Sequence, residues 1–179
     1  ELLLLSPNAN GSIDINEFEK TISKKTLLVS FMHINNEVGS INDIKSIGKI
    51  CRRSNIFFHV DAAQGIGKLS VDVKDCNIDL MSLSAHKIYG PKGIGALFIN
   101  KESVGRIDPI FSGGGQERAL RPGTLATHQI IGMARAYRIA KDKMVDDHDH
   151  LTACRKVFLD NCKGLRGIQI NSNSDDTFP

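Results

Sequence analysis

The chain has 179 residues, of which 41% are hydrophobic and 24% are charged, so it can fold around its own core without a metal or a disulfide. The basic residues that give a net charge of +3 are scattered, which argues against a nucleic-acid-binding surface. No apolar run approaches the length of a membrane span.

Short apolar runs between polar turns predict four β-strands, at residues 26–32, 56–60, 80–85 and 94–100. Asn42 or Asp43 could cap a helix between the first two strands, with Ile44, Ile47 and Cys51 on its apolar face. Glycine and proline residues within 90–95 predict a turn between the last two strands.

The second half of the chain is predicted to contain a glycine-rich loop and two helices. The loop covers residues 112–124, and apolar residues at helical spacing follow it. The polar residues 146–149 predict a break before the second helix. The predicted apolar positions are Ile130, Met133, Tyr137, Ala140 and Met144 in the first helix, and Leu151, Cys154, Phe158 and Cys162 in the second.

None of the four cysteines forms a CxxC pair, which argues against a zinc site or a thioredoxin-like motif. We expect Cys51, Cys154 and Cys162 to pack as small hydrophobic residues in helices. Without a disulfide pattern, a reducing compartment is expected. His148 lies in the predicted polar break and His150 directly follows it, so a solvated surface is a better interpretation than a metal site.

Strands that alternate with helices predict an α/β fold with a mostly parallel sheet, in which ligands bind beyond the carboxyl ends of the strands. The polar residues that follow the first three predicted strands are Asn36, then Asp61 and Gln64, then Ser84, His86 and Lys87. Together they suit pyridoxal 5′-phosphate (PLP): a lysine for a Schiff base, a carboxylate for the ring nitrogen, and donors for phosphate and ring oxygen. Taken singly, each has a simpler interpretation, such as a turn cap for Asp61 or a solvated side chain for Lys87.

Four segments resemble the signature blocks of NifS/IscS-type cysteine desulfurases, a branch of the class V aminotransferase family. They are HINNEVG (33–39), HVDAAQGIGK (59–68), SLSAHKIYGPKGIGAL (82–97) and GGGQERALRPGT (113–124). The resemblance implies a three-layer α/β/α, aspartate aminotransferase-like large domain and a homodimer. On that basis residues 1–146 are expected to belong to the PLP-binding large domain and residues 147–179 to begin a small C-terminal domain.

The resemblance also implies a role for each matching residue. Lys87 resembles the Schiff-base lysine, Asp61 the partner of the ring nitrogen, and Gln64 and Asn36 the contacts to the ring oxygen, with Asn36 also near the substrate carboxylate. Ser84 and His86 resemble phosphate ligands, and Thr124 resembles the phosphate ligand that the partner subunit supplies. No metal is expected.

The implied reaction converts L-cysteine to L-alanine and passes persulfide sulfur to an iron–sulfur scaffold or a tRNA-thiolation relay, without direct contact to nucleic acid or membrane. The sequence starts at Glu1 and reads as a fragment, so the sulfur-accepting cysteine is expected downstream of residue 179. A selenocysteine lyase, another class V aminotransferase and a non-catalytic truncated piece are the alternatives. The expected location is the bacterial cytoplasm or, alternatively, the mitochondrial matrix.

Overall fold

The computed structural model describes residues 1–172 and 177–179, and a four-stranded sheet lies at its centre. The strands are β1 (Leu28–Met32), β2 (Phe57–Asp61), β3 (Leu80–Ser84) and β4 (Gly95–Ile99), in the spatial order β1-β2-β3-β4. The first three strands are parallel, and β4 pairs with β3 in the antiparallel direction. The predicted mostly parallel α/β sheet is confirmed.

In the described residues, three α-helices accompany the sheet: α1 (Ile15–Thr21), α2 (Ile44–Arg53) and α3 (Thr127–Cys162). Short 3₁₀ turns lie at His86–Ile88, Val104–Arg106 and Gln116–Ala119. As predicted, Asp43 caps α2, because its carboxylate accepts a hydrogen bond from the Ser46 N–H. Helix α1 was not predicted, although Asp14 caps it and the spacing of Asp14 and Glu17 is a start signal that the sequence offers.

The predicted break at residues 146–149 is wrong, because α3 is continuous over 36 residues. Those four residues are Asp146, Asp147, His148 and Asp149, and none of them is a glycine or a proline. Aspartate and histidine cost a helix interior only about 0.7 kcal/mol each relative to alanine, so a polar run does not end a helix by itself. The expected domain boundary after residue 146 therefore falls inside α3, and the boundary itself stays a prediction.

The core lies between one face of the sheet and helices α1 and α2. Phe58 and Val60 of β2 are fully buried there against Ile47 and Cys51 of α2. Helix α2 approaches its neighbours so closely that a Cβ built on Gly48 would lie 1.8 Å from the backbone oxygen of Cys76. The apolar face of α2, predicted from its helical spacing, is confirmed.

Helix α3 packs against the turns that follow β2 and β3 through small side chains. A Cβ on Gly67 would lie 2.8 Å from Cβ of Ala140, and a Cβ on Gly90 would lie 3.2 Å from Cβ of Ala136. This close approach places α3 beside the carboxyl edge of the sheet. Within the described residues, no helix is both long enough and apolar enough to cross a membrane.

The cysteines fall into two groups by exposure. Cys51 and Cys76 are buried, as predicted for Cys51, whereas Cys162 is half-buried. The prediction that Cys154 packs as a hydrophobic residue is wrong, because Cys154 is exposed on α3, with its Sγ 3.7 Å from Nε2 of His150. Cys154 falls at an apolar position of the helical spacing, but no part of the described chain packs over its thiol.

Candidate functional site

The polar residues predicted to share one edge of the sheet do follow the carboxyl ends of β1, β2 and β3. Met32, Asp61 and Ser82 are register neighbours across the three parallel strands. Ser84 ends β3 two residues further along, and Asn36 follows the end of β1. The sheet geometry therefore brings the predicted residues of three strands to one edge.

Asp61 is held by the backbone around it. Its Oδ1 accepts a hydrogen bond from the Ala63 N–H at 2.9 Å, and its carbonyl oxygen accepts from the His33 N–H at 2.9 Å. Among the described residues, Oδ2 makes no hydrogen bond. The half-buried carboxylate thus keeps one oxygen for a ligand at the end of β2.

His59, which was not predicted as a site residue, lies two residues before Asp61 on β2 and contacts side chains of both neighbouring strands. Its Nδ1 lies 2.8 Å from Oγ of Ser30 on β1, and its Nε2 lies 2.7 Å from Oγ of Ser82 on β3. Burial lowers the pKa of His59, although the nearby Asp61 carboxylate acts in the opposite direction. The two-residue period of a strand puts His59 on the same face as Asp61, and that is the signal that could have identified it.

Ser84, His86 and Lys87 lie together where β3 passes into the first 3₁₀ turn. Ser84 Oγ is 3.0 Å from Nδ1 of His86, which pairs a hydroxyl with an imidazole. Lys87 is exposed, and its side chain makes no hydrogen bond among the described residues. Its side chain lines a cavity of about 370 Å³ between the turns and α3, together with Gly67, Lys68 and Ala140.

A second cavity, of about 350 Å³, is lined by Asn36 and Gln64. Asn36 is exposed, and its Nδ2 donates to Oε1 of Glu37 at 2.7 Å. Lys68 lines both cavities, and its Nζ donates to Oε1 of Gln64 at 3.0 Å. Lys68 was not predicted either, although its position four residues after Gln64 would place the two side chains on one side of a helical turn.

Thr124 stays apart from these residues within one chain. It is exposed in the loop before α3, lines neither cavity, and makes no hydrogen bond among the described residues. The structure therefore does not bring Thr124 to Ser84 and His86 of its own subunit.

The chemistry of this edge fits PLP. Asp61 has an unused carboxylate oxygen for a protonated ring nitrogen, and Lys87 has an amine without a partner among the described residues. Ser84 and His86 form an adjacent pair of groups that can donate to phosphate oxygens. The amide of Gln64 has its oxygen engaged by Lys68, which leaves its nitrogen to donate.

Comparisons with known proteins identify the family to which the chain is similar. The family model described as Aminotransferase class-V matches residues 1–177. "Cysteine desulfurase IscS" of Vibrio cholerae serotype O1 (strain M66-2) is 47% identical over 179 residues, which is 100% of this chain and 44% of that protein. The chain therefore spans less than half the length of this curated relative.

Two of the solved structures that resemble this chain illustrate the likeness. A "NIFS-LIKE PROTEIN" superposes with a TM-score of 0.90 at 36% identity, over 97% of this chain and 47% of the other. "SspA in complex with cysteine" superposes with a TM-score of 0.73 at 44% identity, over 76% of this chain and 39% of the other.

Proposed function

The chain belongs to the aminotransferase class-V family, and from this premise we propose that it forms the cofactor-binding part of a PLP-dependent cysteine desulfurase. The observation that carries the proposal is the edge of the parallel sheet, where an acid, a lysine and phosphate donors follow neighbouring strands. Relatives named cysteine desulfurase and a similar structure in complex with cysteine support the substrate.

Each residue of the edge has a distinct task in this reaction. Lys87 would hold the cofactor covalently through Nζ, and Asp61 would keep a proton on the ring nitrogen through Oδ2. Bound PLP supplies an electron sink for the substrate's α-carbon. With the substrate bound, Lys87 Nζ would carry protons to and from that carbon.

The remaining site residues would bind and orient. Ser84 and His86 would donate hydrogen bonds to the phosphate. Gln64 and Asn36 would contact the ring oxygen, and Asn36 would also contact the substrate carboxylate. The sulfur of cysteine would pass to an acceptor thiol, which gives alanine and a persulfide without a further oxidant or reductant. The persulfide would then supply an iron–sulfur scaffold or another acceptor, such as one for tRNA thiolation.

The two buried cysteines are unsuited to accept sulfur. Burial raises the pKa of Cys51 to about 12 and also raises the pKa of Cys76. A thiolate is the nucleophile in such a transfer, so neither buried group would react. Burial does not exclude the exposed Cys154 or the half-buried Cys162. Following the family resemblance, in which none of the four cysteines lies in the sulfur-accepting motif, we propose an acceptor cysteine outside residues 1–179. We also propose a reducing compartment for the reaction, the cytoplasm in bacteria such as the Vibrio relatives.

The proposal is tested at Lys87. The intact protein should be yellow and release alanine from L-cysteine, and Lys87→Ala should remove both the visible absorption band and the activity. Lys92→Ala is the matched control, because Lys92 is an exposed lysine in the next turn that lines neither cavity. A borohydride-reducible adduct of Lys87→Ala with PLP would contradict the assignment.

We further propose that Thr124 acts across a two-fold interface, on the phosphate held by Ser84 and His86 of the second subunit. Its exposure in a loop rich in glycine, away from its own Ser84, supports this arrangement. Mixing inactive Lys87→Ala with inactive Thr124→Trp should restore activity, because one site of each heterodimer would then have an intact Lys87 and an intact Thr124. Confirmed subunit exchange without any activity would show that Thr124 does not act in trans.

A further inference from the structure

We propose that Lys68 is a positioning residue that fixes the amide of Gln64 so that its N–H groups face the ring oxygen of the cofactor. The inference rests on the proposed function, because it assigns a cause to the orientation of one group in that site.

The contact is short and local. Nζ of Lys68 donates to Oε1 of Gln64 at 3.0 Å, and both side chains are partly buried. They belong to the turn after β2, where the N–H of Ile66 donates to the carbonyl of Ala62 at 2.9 Å and the N–H of Leu69 to the carbonyl of Gly65 at 3.0 Å. These backbone bonds fix the turn in which Lys68 follows Gln64 by four residues.

The contact has a direction because of the groups involved. An ammonium group has three donors and no acceptor, whereas the amide of a glutamine has an oxygen that accepts and an NH2 group that donates. Only the oxygen of Gln64 can therefore face Lys68, and the Nε2 donors must face the other way. A ring oxygen that carries negative charge needs donors, and a reversed amide would oppose it with a second acceptor.

Lys68 is the sole hydrogen-bond partner of the Gln64 side chain among the described residues. Without it, that amide has no contact there that distinguishes its two orientations. Lys68 is itself held in place, because its Nζ lies 5.6 Å from the ring centroid of the buried Phe178. Lys68 also lines both the cavity of Lys87 and the cavity of Gln64, so it stands between the two groups.

A competing explanation is that the charge of Lys68 acts directly on Lys87. Lys87 is close enough to act on Lys68, since burial and, next, the nearby Lys87 lower the pKa of Lys68. A double-mutant cycle with Gln64 separates these explanations, because an effect that passes through the amide must vanish when the amide is removed.

The test uses the intact protein loaded with PLP and the variants Lys68→Met, Lys68→Arg, Gln64→Ala and the double variant Lys68→Met/Gln64→Ala. The measurements are the visible spectrum of the bound cofactor at one pH and its rate of release to an apo-enzyme trap. Lys143→Met controls for the loss of a positive charge, because Lys143 lines the cavity of Lys87 without touching Gln64. Thermal unfolding of the cofactor-free proteins reports whether each variant folds.

We expect Lys68→Met to shift the spectrum and to release the cofactor about tenfold faster, as befits the loss of one oriented hydrogen bond to a charged group. Lys68→Arg, which keeps donors at this position, should retain most of the wild-type spectrum, and Lys143→Met should match wild type. Gln64→Ala should behave like Lys68→Met, and the double variant should be no worse than Gln64→Ala.

A wild-type spectrum in Lys68→Met, or additive effects in the double variant, would overturn the inference. If Lys68→Met did not fold, a Lys68→Arg spectrum as altered as that of Gln64→Ala would overturn it. A wild-type protein that binds no PLP would instead overturn the proposed function, so the two failures are distinguishable.

Discussion

Gly65 directly follows Gln64 in the turn after β2, and the substitution Gly65→Ala tests how rigid that turn must be. A Cβ on Gly65 would lie 2.6 Å from Nδ1, 3.1 Å from Cγ and 3.2 Å from Cβ of His33. His33 is only 5% exposed, so its ring has little room to move away. The backbone of Gly65 does not have a positive φ, so the expected strain comes from this contact alone.

Three contacts this short require the ring or the turn to shift. Overpacking of this kind costs about 1–3 kcal/mol of unfolding free energy. Urea unfolding of the cofactor-free protein should show that loss. If the turn moves, rather than His33, the affinity for PLP should also fall, since Gln64 directly precedes the substituted residue and Asp61 begins the same turn.

Gly105→Ala is the matched control, because a Cβ at Gly105 meets nothing within 4 Å. His33→Ala in the Gly65→Ala background removes the ring that the new methyl group meets, so the double variant should lose less stability than the sum of the two single variants. Wild-type stability in Gly65→Ala, or simple additivity in the double variant, would refute this reasoning.

Two further predictions concern Asp61 and His59. Asp61→Ala should lower kcat by at least about 100-fold, roughly 3 kcal/mol of transition-state stabilisation, with a smaller loss of PLP affinity. The rate of alanine formation measures kcat, and an absorbance titration measures PLP affinity. A kcat within a few-fold of the wild-type value would contradict the role of Asp61. Burial lowers the pKa of His59 in the folded protein below its ordinary value of 6.5. At pH values between the folded and unfolded pKa, the unfolded chain therefore binds more protons than the folded chain. The stability that His59 contributes should be complete above pH 6.5 and decline as the pH falls below it. Urea unfolding at pH 7.5 and 5.5 should show a smaller loss of stability for His59→Gln than for the wild-type protein. An equal loss in the two proteins would contradict the assignment.

The sheet and the placement of the proposed site residues could be predicted from the sequence for a geometric reason. Parallel strands end at one edge, so residues that follow their apolar runs are brought together whatever the details of packing. Asp61 and Ser84 illustrate this, since each lies at the last position of its strand. The match in register between Met32, Asp61 and Ser82 was not needed for that prediction, although it makes the edge compact.

The side-chain contacts within the site could not be predicted in the same way. The hydrogen bonds of His59 to Ser30 and Ser82 depend on strand register, which apolar runs alone do not set. The contact between Lys68 and Gln64 depends on the conformation of the turn after β2, in a segment that shows no strong periodicity. Both were missed because they require knowledge of which strands are neighbours or how a turn is wound.

The cysteines show why a residue type at a periodic position does not decide its chemistry. Cys51 and Cys154 both occupy apolar positions of helices, yet Cys51 is buried and Cys154 is exposed. Helix α2 lies against the sheet, so burial raises the pKa of Cys51 to about 12 and removes its thiolate near neutral pH. Cys154 lies on a turn of α3 where the described chain supplies nothing to cover it, so its environment depends on what packs there. The reactivity of each thiol therefore depends on what packs against its helix, and the spacing of apolar residues in the sequence does not predict that.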